Sequence, residues 1–223
     1  MPHLARPVVS AQIDLHTDLP RQLDRHRQSV YQKPLADYNR SAYAEMRARW
    51  DGAAPLILDA GCGVGWSTLQ LAAQYPDHFV VGVDQSADRL ARGKPSRIPD
   101  NACFIRADLV DFWRLLAMDQ VILARHYLLY PNPWPKPEHL KRRWHGHPVF
   151  PSILALGGIV ECRSNWSIYL QELAYAMGVF RGRAPVVEAW HPTQFLTPFE
   201  RKYHAAGQDL WRLCDVLPVQ TTI

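Results

Sequence analysis

From Pro55 onward the chain alternates short, nearly continuous apolar runs with segments whose apolar residues recur at helical spacing. The runs cover residues 55–59, 79–84, 102–106, 120–124, 158–162 and 185–189. Helical spacing occupies 67–74, 86–91, 109–117 and 166–177. A strand that is apolar on both faces must be covered on both faces, and intervening helices supply the crossovers that parallel pairing needs. The alternation therefore predicts an α/β domain with a mostly parallel sheet. The domain is expected over 51–223, with no repeat or linker inside it. Residues 1–50 are more polar and read as a partly helical N-terminal extension, with a helix near 38–50.

Apolar residues are 48% of the chain and charged residues 21%, which excludes disordered, collagen-like and disulfide-stapled classes. A chain this long can bury roughly 70% of its unfolded surface in one core. Cys62, Cys103, Cys162 and Cys214 are far apart and form no C-x-x-C pair, so neither a metal site nor a disulfide framework is expected. Reduced thiols fit a cytoplasmic protein. The N-terminus has no apolar core of signal-peptide length. The longest apolar stretch, 149–160, is broken by Pro151 and Gly157-Gly158, so no membrane association is expected. The formal charge of +4, with 25 Lys and Arg against 21 Asp and Glu, argues for nothing until the excess is located.

The first apolar run leads from Asp59 into Gly61-Cys62-Gly63-Val64-Gly65, and a helical segment follows. Alternate glycines let the backbone turn sharply after a strand and approach a ligand closely. The pattern is D-x-G-x-G-x-G, with Trp66 where a pyrophosphate-type loop would place a third glycine. Asp59 would repel a pyrophosphate. It suits instead a cationic amino-acid moiety such as S-adenosylmethionine carries. Asp84 ends the second run, where a carboxylate can accept both hydroxyls of an adenosine ribose. Asp108 follows the third run and can hold the adenine or the methionine end. Ser67 and Thr68 open the next helix and read most simply as its caps.

The most unusual stretch follows the fourth run, at the carboxyl edge where open α/β sheets place their ligands. It reads Tyr130-Pro-Asn132-Pro-Trp134-Pro-Lys136-Pro-Glu-His139-Leu-Lys141-Arg142-Arg143. Four prolines in seven residues stiffen it, because each restricts its own φ and its predecessor. Asn132 offers an acceptor and two donors in one plane, and Trp134 a stacking face, both suited to a purine base. Lys136, Lys141, Arg142 and Arg143 stand against one Glu, which locates most of the positive excess and suggests a phosphate-contacting surface. Thr197 and Glu200 fit a helix N-cap with a capping-box Glu. His126 and His204 lack ligand spacing and read as core or surface residues. Arg181, Arg183, Arg201 and Lys202 read as solvated charges.

These residues together resemble the bacterial tRNA (guanine-N(7))-methyltransferases over roughly residues 31–213. The family segment P-D-P-W-x-K-x-x-H-x-K-R-R is similar to 131–143, and its T-x-F-E motif to Thr197-Pro198-Phe199-Glu200. Tyr31-Gln-Lys-Pro34 is similar to the family's N-terminal entry. The resemblance implies a doubly wound, mostly parallel seven-stranded sheet, the Rossmann-like class I methyltransferase fold. It implies S-adenosylmethionine as cofactor, held by Asp59, Gly61, Gly63, Gly65, Asp84, Asp108 and Asn132. It also implies a tRNA guanosine as substrate, contacted by Lys136 and the segment from Thr197 to Glu200; Trp134, Lys141, Arg142, Arg143 and Asn165 are further candidate substrate contacts.

Two positions depart from the family pattern. The catalytic Asp of P-D-P-W is Asn132 here, and T-D-x-x-x-Y reads Ser164-Asn165-Trp166 with Tyr169 kept. Guanine N7 carries a lone pair and no proton, so attack on a methyl group needs no general base. Transfer leaves positive charge on the base, which a carboxylate stabilises better than an amide. The expected activity is methyl transfer to N7 of a tRNA guanosine. Alternatives are a donor-binding paralogue acting on a base amine or small molecule, and a non-catalytic RNA-binding module. The Asn132-Pro133-Trp134 sequence is close to the N-P-P-aromatic loop of amino-methyltransferases, which keeps the first alternative open.

Overall fold

A computed structural model describes residues 5–218. Its strands are β1 (Leu56–Ala60), β2 (Phe79–Asp84), β3 (Ala102–Arg106), β4 (Leu123–Leu129), β5 (Gly158–Ser164), β6 (Val187–Ala189) and β7 (Trp211–Leu217). They are ordered β3-β2-β1-β4-β5-β7-β6 in a seven-stranded sheet. The helices are α1 (Leu19–Gln28), α2 (Asp37–Arg49), α3 (Trp66–Gln74), α4 (Ala87–Ala91), α5 (Leu109–Met118), α6 (Phe150–Ala155), α7 (Ser167–Arg181) and α8 (Pro198–Ala205). This is the Rossmann-like α/β class that the family resemblance implies, and it contains the parallel pairing that the alternation of runs and helices predicts. No helix among the described residues is long and apolar enough to cross a membrane.

Two compact units make up the chain. Among the described residues, one takes 5–32, then Tyr130–Leu154 and Glu161–Asp215; the other takes Lys33–Leu129, Ala155–Val160 and 216–218. The polar N-terminal region is thus divided, with α1 in the first unit and α2 in the second.

In the second unit β1 pairs in parallel with β2 and β4, and β2 with β3. Every residue of β1 and β2 is buried, as their apolar runs up to Asp59 and Asp84 require. The fourth strand lies later than the apolar run at 120–124. Gln120 adopts a left-handed turn, φ 54°, and pairing begins at Leu123. This strand carries Arg125 and His126 because tertiary partners accommodate them. Arg125 lies over the Tyr75 ring, and His126, fully buried, accepts from Trp113 Nε1 at 3.1 Å. Asn39 of α2 donates to Asp111 at 2.7 Å and accepts from the Asp108 backbone at 2.9 Å. One amide therefore ties α2 to the turn that follows β3.

The first unit contains an antiparallel pair, β6 with β7, in which Val187 faces Leu213. The expected run at 185–189 shortens to three residues. The sequence pattern missed β7 because its buried and exposed residues are mixed, with Leu213 and Leu217 inside and Cys214 and Val216 outside. In α1, Leu19, Leu23 and His26 are buried at helical spacing, which forms one inward stripe. Gly182 ends α7 in the left-handed conformation, φ 75°, that favours glycine.

Gly158 opens β5 at φ 71°, and a Cβ there would lie 1.8 Å from the Leu123 carbonyl oxygen. Leu123 is held in place by its own N–H, which donates to Leu156 at 2.8 Å. Gly158→Ala is expected to lower the unfolding free energy by about 3 kcal/mol in urea denaturation, because backbone on both sides must shift.

Candidate functional site

The glycine loop of the second unit is bent through three left-handed residues, Gly61, Gly63 and Gly65, at φ 79°, 58° and 78°. Gly61 and Cys62 donate to the Val83 carbonyl at 2.8 and 3.0 Å, tying the turn to the end of β2. A Cβ on Gly65 would meet Phe104 at 2.3 Å and Lys94 Nζ at 2.4 Å, so packing alone demands glycine there. A Cβ on Gly63 would meet nothing within 4 Å. That open space lets a ligand approach the loop backbone closely.

Asp59, at the end of β1, is buried and accepts from Ser67 Oγ at 2.6 Å and Thr68 Oγ1 at 2.7 Å, both on the same oxygen. The expected capping role of Ser67 and Thr68 is corrected accordingly. Left-handed Gly65 is the N-cap of α3 without a side-chain bond, and the two hydroxyls face the strand. Burial pushes the Asp59 carboxyl up to about 6, against the pull of the two hydroxyls. Asp84 accepts from Gly63 N–H at 3.0 Å and Ser86 N–H at 2.8 Å, with Arg89 at 3.3 Å. It shapes the glycine loop as well as facing it. Asp108 caps α5 by accepting from Val110 N–H at 2.9 Å with one oxygen, which leaves the second for a ligand. Lys94 has no distinguishing sequence pattern. Its Nζ donates to the Val64 carbonyl at 2.6 Å and lies 3.7 Å from the Phe104 ring centre. The three carboxylates and open glycine backbone fit a nucleoside with hydroxyl and ammonium donors.

In the first unit the proline-rich loop is flanked by two strained residues, Tyr130 and Trp134, at φ 53° and 46°. Tyr130 is pinned at both ends, its N–H donating to Arg163 at 2.8 Å and its hydroxyl to Glu200 at 3.0 Å. Asn132 is exposed, and its Oδ1 accepts from Trp134 N–H at 3.2 Å in an Asx turn. The group it presents outward is therefore its NH₂ donor. The Trp134 ring has Arg142 over one face at 4.7 Å and the His139 edge at 5.4 Å, so part of the expected stacking surface is used internally.

The four cations of this segment separate into two kinds. Lys136, Lys141 and Arg142 are exposed; Arg143 is fully buried. Arg143 donates to Glu172 at 2.6 Å, to Gln12 Oε1 at 3.0 Å and to the Trp134 carbonyl at 3.1 and 3.2 Å. The expectation that Arg143 contacts substrate is corrected by this burial. His145, also buried, donates to Glu172 at 2.8 Å. Burial raises the Glu172 carboxyl, but His145 and Arg143 outweigh it and hold the group down at about 2.

Asn165 Nδ2 donates to Gln208 Oε1 at 2.9 Å, and Gln208 Nε2 to the Ala5 carbonyl at 2.7 Å. A carbonyl can only accept, so this chain sets both amide orientations and leaves Oδ1 as the remaining acceptor of half-buried Asn165. Thr197 caps α8 by accepting from Glu200 N–H at 3.0 Å. The reciprocal half of the capping box differs, because Glu200 Oε2 accepts from Leu196 N–H at 2.8 Å. Glu200 Oε1 accepts from Tyr130, Arg163 and Trp190 at 2.9–3.0 Å. Glu200 is fully buried, which corrects the expectation that its side chain contacts substrate. Arg163, Trp190, Gln12 and Glu172 were missed by sequence reading, since each matters only through a distant partner. Among the described residues no cluster of three or more His, Cys, Asp or Glu could hold a metal ion.

A family described as putative methyltransferase matches residues 53–213. Among relatives, a tRNA (guanine-N(7)-)-methyltransferase of Stutzerimonas stutzeri is 29% identical over 172 residues, covering 72% of this chain and 71% of its own. A protein of the same description from Aromatoleum aromaticum is 27% identical over 203 residues, covering 85% and 76%. Among solved structures, an antibiotic related methyltransferase superposes with a TM-score of 0.59 at 16% identity, over 83% of this chain and 96% of its own. The 16S rRNA methyltransferase KamB gives 0.56 at 17%, over 83% and 95%. Both share the fold.

The raised Asp59 carboxyl has a measurable consequence for stability. Its folded value of about 6 lies above the ordinary 3.8, so the folded state holds a proton that the unfolded state releases between them. The resulting stability is present below about pH 4 and lost as pH rises through about 6. Relative to Asp59→Asn, the natural protein is expected to lose on the order of 2–3 kcal/mol across that window in pH-resolved urea denaturation.

Proposed function

Because the chain belongs to the putative methyltransferase family, we propose that it transfers the methyl group of S-adenosylmethionine to N7 of a guanosine in tRNA. The observation that carries this reading is the pairing of two features in a member of that family. One is a D-x-G-x-G-x-G loop with acids at successive strand ends. The other is a stiff loop presenting Asn132 with the exposed cations Lys136, Lys141 and Arg142. Relatives described as tRNA (guanine-N(7)-)-methyltransferases support the choice of substrate. A tRNA substrate places the reaction in the cytoplasm.

Asp84 would receive the ribose hydroxyls of S-adenosylmethionine and Asp59 its ammonium group. The second oxygen of Asp108 would receive the adenine end, with Gly61 and Gly63 giving close backbone approach and Gly65 holding the turn against Phe104. When bound, this donor supplies an electrophilic methyl group on a sulfonium. Guanine N7 contributes its lone pair directly, so no side chain has to remove a proton. The work left to the protein is positioning. Lys136, Lys141 and Arg142 neutralise phosphates, Asn165 Oδ1 accepts from a base N–H, and the Asn132 NH₂ donates to a base acceptor. Trp134 offers the part of its ring surface not covered by Arg142. Thr197 and Glu200 support the base side indirectly, through the capped helix and the held Tyr130. Asn132 brings no charge to the cation formed on the base, which a carboxylate would stabilise further.

Incubation with labelled donor and tRNA lacking 7-methylguanosine, then nuclease digestion, is expected to put label in 7-methylguanosine alone. Label in another nucleoside, or none, refutes the proposal. Asn132→Asp is expected to raise the single-turnover rate by about tenfold, equivalent to ~1.4 kcal/mol of transition-state stabilisation. An unchanged rate would sink the charge argument. Lys136→Gln, Lys141→Gln and Arg142→Gln should each flatten the dependence of log affinity for tRNA on log salt by roughly 0.7–0.9.

A further inference from the structure

Arg143 belongs by sequence to a run of cations, yet it has no exposed surface and is fully engaged by protein groups. Its Nε and Nη2 donate to the Trp134 carbonyl at 3.2 and 3.1 Å, which grips the backbone of the loop that carries Asn132. Its Nη1 meets Glu172 at 2.6 Å. Glu172 accepts four hydrogen bonds: from Arg143, from His145, from Gln12 Nε2 at 2.6 Å and from His16 N–H at 2.9 Å. Gln12 also accepts from Arg143 Nη2 at 3.0 Å. Two residues earlier, Ser10 Oγ donates to the Pro135 carbonyl at 2.5 Å.

The segment from Ser10 to His16 therefore grips the proline loop directly through Ser10 and indirectly through Gln12, Glu172 and Arg143. All of it lies before residue 53, where the family match begins. Proline supplies no N–H, so Pro131, Pro133, Pro135 and Pro137 deprive the loop of half its own donors. Such a loop must be held by donors from elsewhere. Trp134 in particular needs it, because its left-handed backbone is unfavourable for a side chain of that size. Arg143 is rigid and planar with several donors, and can bond one carbonyl twice while pairing with a carboxylate.

We propose that Arg143 is a positioning residue and not a phosphate contact. With Glu172 and Gln12 it fixes the backbone at Trp134 and hence the presentation of Asn132, which makes the segment 10–16 part of the substrate-side scaffold. The tRNA reading enters only in naming what the loop is presented to.

Three measurements test the proposal on the full chain. Arg143→Met alone would strand a buried carboxylate, so the pair R143M/E172Q is used, beside the milder Gln12→Ala. Hydrogen exchange at the Trp134 amide, which Asn132 Oδ1 holds, is expected to quicken about tenfold or more in both variants. The salt dependence of tRNA binding should match that of the unsubstituted protein. In turnover, kcat should fall on the order of ten- to hundredfold with KM for tRNA within about twofold, since misplacement of a loop costs rate more than affinity. Unchanged exchange in both variants overturns the positioning role. So does a salt slope reduced by roughly 0.7–0.9, the signature of one lost phosphate contact. If the unsubstituted protein does not methylate tRNA, the proposed function fails by itself, and hydrogen exchange still decides the role of Arg143.

Discussion

A carboxylate removed from water has to be matched by donors or take up a proton, and this constraint organises both halves of the molecule. Glu172 and Glu200 have no exposed surface, and each accepts four hydrogen bonds. The donors come from parts of the chain far apart in sequence: the N-terminal segment, the proline loop, the end of β5 and the approach to α8. Asp59 and Asp84 play the corresponding part in the second unit, where hydroxyls and loop N–H groups converge on them. Asp59 sits at the margin of the rule. Two hydroxyls do not fully offset its burial, and its carboxyl is pushed up to about 6.

The same constraint decides what remains to meet a substrate. Groups consumed in satisfying buried acids are not available outside, and these include Arg143, Arg163 and Tyr130. The polar groups that stay exposed on the proline loop are the NH₂ of Asn132, the charges of Lys136, Lys141 and Arg142, and one acid, Glu138. Asn165 adds an acceptor whose direction is set through Gln208 by a backbone carbonyl. The exposed cations of this loop thus flank a neutral amide, Asn132. Methyl transfer to a nitrogen that carries no proton is compatible with that neutrality, because it calls for alignment and not for proton removal.

Much of the architecture was legible from the apolar pattern. Strands buried on both faces, β1 and β2, announce themselves by apolar runs up to Asp59 and Asp84, and the glycine loop between β1 and α3 by its spacing. Elements whose burial depends on polar partners were not legible. The fourth strand was placed too early because it carries Arg125 and His126, which become acceptable only once Tyr75 and Trp113 are beside them. The seventh strand was missed because its two buried leucines are separated by exposed and half-buried residues. At the candidate site, the spacing of Asp59, Asp84 and Asp108 marked them correctly as strand-end acids. It could not show that each already bonds a neighbouring loop or helix.

The sequence by itself determined the alternation of strand and helix, the turn after β1, and the stiffness and positive charge of the loop after β4. Those properties are local, since they follow from side-chain size, periodicity and the fixed φ of proline within a few residues. Only the tertiary structure decided which of the charges face outward. Arg142 and Arg143 are chemically identical neighbours, yet one lies exposed over an indole ring and the other is buried against Glu172. Nothing within the segment distinguishes them. The distinction comes from Gln12 and Glu172, 131 and 29 residues away along the chain, because the energy of a buried charge depends on the partners that folding brings to it.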